Sequence, residues 1–296
     1  MNTLHLQYLI EIERMCSISQ AAENLYIGQP NLSRILHDME ENIGFRIFER
    51  INRGVRPTER GARFLQHARS ILRELEYIDA LGPQHAVSNR LRVCLPSSAS
   101  LIEQTAAYLA SLNTVGGLES GIHECHAAEA ISMISNGDAE IAVLRFRSEY
   151  TEYFNEQSVS QDLSFQILKR YKYEVLLPQD HPLAEKKTLR LDDLTDYPEI
   201  VHSDLRKAVT KEDKEKRRQI YTVDRMAQFQ LLETIWGAYM WSEPIPSRHL
   251  QRWGLVQRPC SDNQYVYVNA IIYNPKYAMT EIETGFIQYM IRESKK

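Results

Sequence analysis

Ser17-Ile18-Ser19-Gln20-Ala21-Ala22-Glu23-Asn24-Leu25-Tyr26-Ile27-Gly28-Gln29-Pro30-Asn31-Leu32-Ser33-Arg34 contains two helix starts separated by a turn. Ser17 stands three residues before Gln20, the spacing of a capping box, and opens a short helix. Ala21 and Ala22 leave room for a neighbouring helix to approach closely. Tyr26-Ile27-Gly28 forms a tight turn, and Gln29-Pro30 starts the next helix, because proline lacks only an N–H that a first turn would leave unpaired. Leu32, Ile35, Leu36, Met39 and Ile43 make one face of that helix apolar. Pro30, Asn31, Ser33, Arg34 and His37 occupy the other. Upstream, Leu6, Leu9 and Ile10, with Ile12 or Met15, mark an amphipathic first helix between Leu4 and Cys16.

Two helices joined by a short turn, the second turning a polar face outward, make a helix-turn-helix pattern. Small and amide side chains near its N-terminus can approach base edges, and Arg34 can reach a phosphate or a guanine. A purely structural three-helix bundle would fit the same residues. The next segment separates the two readings: Ile47-Phe48-Glu49-Arg50 and Val55-Arg56-Pro57 read as short strands around the turn Ile51-Asn52-Arg53-Gly54, an arginine-rich wing placed for backbone or minor-groove contact.

Net charge, taken as a whole, argues otherwise. The chain has 296 residues and a formal charge of −4, which disfavours a polyanionic partner. Residues 1–90 carry eleven Arg and eleven acids and sum to zero, but from Arg46 to Arg73 eight arginines face only Glu49 and Glu59. The basic charge is local, and all of it is the residue that can fork onto phosphate or guanine.

A hydrophobic fraction of 43% with 25% charged residues is ordinary globular composition. No apolar run is long enough to span a membrane. The N-terminus lacks a basic start, and four scattered cysteines do not make a disulfide framework, so the reading is a cytoplasmic chain with no membrane partner. After Pro57, with Thr58 as cap, a long helix is expected to run to the Gly82-Pro83 stop. Phe64, Ala68, Ile71, Leu75 and Ile78 alternate at steps of four and three, a heptad seam that argues for helix pairing and hence a dimer.

Ser17-Ile18-Ser19-Gln20-Ala21-Ala22, Leu25, Gln29-Pro30-Asn31-Leu32-Ser33-Arg34, Met39-Glu40, Gly44, Phe48-Glu49-Arg50 and Thr58-Glu59-Arg60-Gly61 together resemble the winged helix-turn-helix of LysR-type transcriptional regulators. The resemblance spans nearly all of residues 3–80. It departs at Gly28, where the family usually has Ser or Thr. It implies a domain order: a winged helix-turn-helix over 1–58, a dimerisation helix and hinge over 59–90, and a two-lobed α/β effector domain over 91–296, similar to periplasmic solute-binding proteins. It further implies contact with double-stranded operator DNA, dimers that assemble into tetramers, and RNA polymerase as a partner. Ser17, Gln29, Pro30, Asn31, Ser33, Arg34 and His37 would contact DNA, joined by Arg50, Arg53 and Arg56 from the wing.

Past residue 90, strand and helix patterns alternate, which predicts a mostly parallel sheet. Asn136-Gly137-Asp138-Ala139-Glu140-Ile141-Ala142, His181-Pro182-Leu183-Ala184 and Leu191-Asp192-Asp193-Leu194 carry a weaker resemblance to the same family's effector part, with Glu140 standing where Asp is usual. Lobe I is expected over 91–163 and 265–296, and lobe II over 164–264. Ligands of open α/β sheets bind beyond the carboxyl ends of strands, so a small polar, anionic effector is placed in the interlobe cleft. Ser97, Ser98 and Ser100 offer hydroxyls at a helix start. Arg145, after a strand expected to end at Leu144, could pair with a carboxylate. Cys125 and Ser203 follow other strand ends. Helix capping explains the serines equally well.

His123-Glu124-Cys125-His126 lacks a second ligand cluster, so no metal is expected, and no resolving thiol for Cys125 is evident. Trp236, Tyr239 and Trp241 read as core. No cofactor is implied. Two other functions compete with this reading. An enzyme with Ser98 or Cys125 as nucleophile lacks any Gly-x-Ser-x-Gly or phosphate-loop motif. An architectural DNA binder would use the C-terminal part for assembly alone. The leading reading is an effector-controlled DNA-binding regulator, not an enzyme.

Overall fold

The computed structural model describes residues 2–80, 90–112, 117–202, 218–222, 224–277 and 279–295. The chain divides into two compact units, the first built mainly on residues up to Arg90 and the second on most of the remainder.

The first unit opens with α1 (Thr3–Met15), α2 (Ile18–Asn24) and α3 (Gln29–Ile43). Ser17 caps α2, its hydroxyl oxygen accepting from the Gln20 amide at 3.3 Å. Gly28 caps α3 without a side-chain bond. The wing pairs β1 (Phe48–Ile51) with β2 (Gly54–Pro57), so its turn is the dipeptide Asn52-Arg53; Ile51 and Gly54, expected in the turn, belong to the strands. Leu6, Leu9, Ile12, Leu32, Leu36, Met39, Ile47, Phe48, Val55 and Leu65 form one core.

Two features lock the wing to the helices. Glu40, on the inner side of α3, accepts from the amides of Ile47 at 2.7 Å and Phe48 at 3.1 Å. Gly61, in the first turn of α4 (Glu59–Ala80), lies against the Ile47 carbonyl: a Cβ there would sit 1.9 Å from that oxygen. Gly61→Ala therefore has to push α4 off the wing, and about 2 kcal/mol of stability should be lost, read as a lowered Tm in thermal denaturation. A loss within experimental error would show that α4 can slide away freely.

The long helix α4 corrects the dimer seam. Leu65 and Ala68 are buried in the head's own core, and Phe64 and Leu72 are partly buried against it. Ile71 and Ile78 are exposed at 41% and 61%, and Leu75 is half-buried. The apolar face is wide enough to serve two surfaces, and its N-terminal part covers the head.

The second unit holds a five-stranded sheet of order β4-β3-β5-β12-β6, formed by β3 (Arg90–Leu95), β4 (Glu119–Glu124), β5 (Ile141–Arg147), β6 (Ser164–Lys172) and β12 (Val266–Tyr273). β3 and β5 are parallel, but β12 is antiparallel to both β5 and β6, so the sheet is mixed instead of mostly parallel. A strand returning from a second lobe enters from the opposite end, which reverses its direction. Residues 164–172, expected in lobe II, extend this sheet, so the chain crosses over at Tyr173. Helices α5 (Ala99–Ser111), α6 (Ala127–Asn136) and α7 (Thr151–Val159) follow β3, β4 and β5. Glu140 is buried and accepts from the Arg92 amide at 3.1 Å and its Nε at 3.0 Å, a use for the longer acid.

The other lobe carries β7 (Glu174–Pro178) between β10 (Met240–Ser242) and β11 (Leu255–Arg258), both antiparallel to it. β8 (Glu199–His202) runs parallel to β9 (Gln219–Thr222) and joins that sheet through a bridge from Glu199 to Tyr239. α8 (Arg225–Thr234) and α9 (Ser247–Arg252) complete it, and α10 (Glu281–Glu293) closes the chain on the larger sheet. His181 is buried, taking the Leu183 amide on Nδ1 at 3.0 Å and giving its Nε2 proton to the Gly237 carbonyl at 2.9 Å. Burial pushes its pKa down, so it is held neutral. Tyr239 is core, but Trp236 is 77% exposed, contrary to expectation.

Candidate functional site

The outer face of α3 presents exposed Gln29, Pro30, Asn31, Arg34 and His37, with Ser33 half-buried. Several of these side chains bond to one another. Gln29 Nε2 donates to Ser33 Oγ at 2.7 Å, and Arg34 Nη2 donates to Asn31 Oδ1 at 3.2 Å. His37 lies 3.4 Å from Glu41. Ser17 spends its acceptor on the α2 cap, leaving its hydroxyl proton to donate outward.

The arginine-rich segment sorts into distinct uses. Arg69 is partly buried against Glu13 of α1 and ties α4 to the head. Arg60 lies over the Phe45 ring at 4.3 Å. Arg56 pairs with Glu49 across the wing at 2.6 Å, and Arg63 with Glu59 at 3.3 Å. Arg50 and Arg53 are exposed at the wing tip and make no side-chain hydrogen bond or ion pair among the described residues. Of the expected DNA contacts, they are the cations presented without a competing partner.

In the second unit, the strand ends of the two lobes face each other. Glu124 ends β4 and His202 ends β8, and their side chains come within 4.0 Å. Ser98 is buried and caps α5, its oxygen accepting from the Leu101 amide at 3.0 Å. Arg145 lies within β5 and not after it, because that strand runs to Arg147. It does pair with a carboxylate, but one supplied by the chain: Glu243, just past β10. Arg145 Nη2 donates to Glu243 Oε2, and Ser98 Oγ donates to Glu243 Oε1. The Ser100 amide points at the same Oε1 from 3.4 Å. Both ion-pair partners are more than nine-tenths buried. Glu243 thus occupies the anion seat that the sequence reading assigned to the effector.

Arg145 also donates through Nη1 to the Ser97 carbonyl at 2.7 Å and through Nε to Asn269 at 3.3 Å. Tyr171 shares Asn269 Oδ1 at 2.9 Å; burial pushes its pKa well up, against the pull of Arg145. A groove of about 480 Å³, counting space open to solvent, adjoins Glu243 and is lined by Ser100, Gln104, Lys169, Tyr171 and Asn269.

From the second lobe, Arg225 at the start of α8 reaches Ser97. Its Nε and Nη2 donate to Ser97 Oγ at 3.2 and 3.0 Å, and Nη2 to the Ser97 carbonyl at 3.0 Å. Sequence reasoning missed both Arg225 and Glu243; Asp224 as a helix cap before Arg225 was the available local signal. Cys125 is buried, and a hydrogen bond with the Cys94 thiol lowers its pKa despite desolvation and the acids nearby. That thiol neighbour sits on the adjacent strand and was not evident in sequence. Ser203 lies outside the described residues.

Comparison with known proteins follows this division. A model of the bacterial regulatory helix-turn-helix protein, LysR family, matches residues 4–62, and a model of the LysR substrate binding domain matches residues 84–293. This chain belongs to the LysR family. The family is one of transcriptional regulators, not enzymes. CysB of Burkholderia cenocepacia is 26% identical over 208 residues, which cover 69% of this chain and 64% of that protein. A hydrogen peroxide-inducible genes activator of Pectobacterium carotovorum is 24% identical over 200 residues, covering 66% and 62%. The matches thus span a little under two thirds of these relatives' length. Among solved structures, full-length OxyR from Pseudomonas aeruginosa superposes with a TM-score of 0.60 at 17% identity, covering 100% of this chain and 95% of that one. Full-length CbnR complexed with its target DNA gives 0.57 at 17% identity, covering 99% and 100%. These similarities show the LysR fold: a winged helix-turn-helix head, a long helix and a two-lobed α/β domain. Among the described residues, no helix is long and apolar enough to cross a membrane.

Proposed function

We propose that this LysR-family chain binds an operator as a homodimer, assembling to a tetramer, and that a small polar ligand in the interlobe cleft sets how the two heads are presented. The observation that carries the reading is the meeting of Ser97, Ser98 and Arg145 from one lobe with Arg225 and Glu243 from the other. A ligand bound among groups from both lobes favours one lobe geometry over another, and only such differential affinity can act on DNA binding. Gln29, Pro30, Asn31, Ser33, Arg34 and His37 would contact bases and backbone, with Ser17, Arg50, Arg53 and Arg56 on phosphates. The CbnR structure with target DNA supports this use of the head. Ile71, Leu75 and Ile78 supply the pairing surface that Ala68 does not. RNA polymerase and a cytoplasmic setting belong to the same proposal, which needs no cofactor.

Operator sites selected in vitro test it. With small organic acids and other polar metabolites added in turn, at least one should shift operator affinity saturably by about fivefold or more. Unchanged binding across the whole set would overturn ligand control and leave an architectural DNA binder.

A further inference from the structure

The turn that delivers α3 is built around a residue its backbone does not favour. α2 ends in a Schellman arrangement: the Tyr26 amide donates to the Glu23 carbonyl at 3.1 Å, and the Ile27 amide to the Ala22 carbonyl at 3.0 Å. Such an ending needs one left-handed residue, and Tyr26 supplies it at φ 55°. Glycine takes that conformation freely, whereas a Cβ crowds the following carbonyl. A bulky aromatic residue there is uncommon. The other non-glycine residues with positive φ among the described residues, Cys16 and Asp162, are both small.

Nothing in the head offsets this strain. Leu25 and Ile27 pack against the core, but Tyr26 is 95% exposed. Among the described residues its hydroxyl makes no hydrogen bond and its ring stacks on no other. Strain kept where the fold gains nothing points to a task outside the fold. Leu25, Ile27 and Gly28 offer no side-chain donor, so Tyr26 holds the one hydroxyl between α2 and α3. In a helix-turn-helix the first helix crosses the DNA backbone and the second enters the groove, so the turn between them stands at the groove's edge, beside the phosphates. A phenol is suited to that edge: its O–H donates to a phosphate oxygen and its ring covers a sugar.

We propose that Tyr26 is a DNA-backbone contact of the head, its hydroxyl on a phosphate and its ring against the adjoining sugar, and that the left-handed turn aims it there. This rests on the head binding DNA through α3, and it adds a contact that neither reads a base nor carries a charge. A neutral donor displaces no counterion, so it strengthens binding alike at every salt concentration.

Full-length protein titrated into labelled duplexes, one an operator selected in vitro and one of scrambled sequence, provides the test. Tyr26→Phe keeps the ring and the backbone restraint, so Tm should hold while affinity falls about fivefold for the lost hydrogen bond. Tyr26→Gly relieves the left-handed strain and should not lower Tm, yet it should weaken binding about tenfold or more, since ring and hydroxyl both go. Both losses should be equal on the two duplexes and leave the slope of log K against log salt unchanged. Undiminished affinity in both variants overturns the proposal, and a loss of transcription with DNA binding intact would then give the ring to a protein partner. A loss in Tyr26→Gly alone overturns it in favour of a turn that merely holds α3 in place. A loss confined to the selected operator overturns it in favour of a base reader, and a lowered Tm in Tyr26→Gly in favour of a structural tyrosine. If Arg34→Ala and Arg50→Ala/Arg53→Ala lose affinity while the Tyr26 variants keep it, the head still binds DNA and this contact falls. If none of them loses affinity, the assignment of the head itself falls.

Discussion

Glu243→Ala should destabilise the C-terminal unit by about 3–5 kcal/mol. The carboxylate is more than nine-tenths buried and accepts from Arg145 and from the Ser98 hydroxyl. Truncating it leaves the Arg145 guanidinium buried without a counter-charge, a short distance from a second cation on Arg225. Removing one partner of a buried pair costs far more than the pair contributes, because the desolvated charge that remains has nothing to repay it. The three tryptophans, Trp236, Trp241 and Trp253, all lie in this unit, so fluorescence during urea denaturation follows it without interference from the head. The double variant Arg145→Met/Glu243→Leu should recover most of the loss, since it removes both charges and keeps apolar volume. A loss below about 1 kcal/mol for Glu243→Ala would mean that solvent screens the pair.

How far this centre could be read from sequence depends on distance along the chain. Ser17, Thr58 and Ser98 as caps rest on residues three apart, and each is found doing that work. Helical periodicity located α3 and α4 for the same local reason. The Arg145–Glu243 pair joins residues 98 apart in the chain, and Arg225 reaches Ser97 across 128. Nothing within a few residues of Glu243 distinguishes it from a surface acid. Two errors have the same origin. Ala68 belongs to the heptad seam by spacing, yet its burial is decided by α1 and the wing. The strand at 164–172 has no local mark of which sheet it joins; its partner β12 lies about a hundred residues on. Local chemistry identified the head and the serines of the cleft, and tertiary pairing decided which charge answers which.

On DNA, Arg34→Ala should weaken operator binding by about 1–3 kcal/mol per head and relax the preference for one base pair, because a side chain reading a base edge carries sequence information. Arg34 stands near the start of α3, where Asn31 steadies it, and under the proposed function it reads bases. The wing should respond differently. Arg50→Ala/Arg53→Ala removes two exposed cations that have no partner among the described residues, and phosphate contacts are indifferent to sequence. Affinity should fall alike on selected and scrambled duplexes, and the dependence of log K on log salt should flatten by about two per head. Fluorescence anisotropy between about 50 and 200 mM salt separates the two behaviours. Arg69→Ala serves as the internal contrast: paired with Glu13 inside the head, it should lower Tm and leave the salt dependence of the folded protein intact. An Arg34→Ala protein with unaltered base preference would remove α3 as the reading helix. A wing variant with an unaltered salt slope would place the phosphate contacts elsewhere, since counterion release counts the cations that touch the backbone whatever bases lie beneath them.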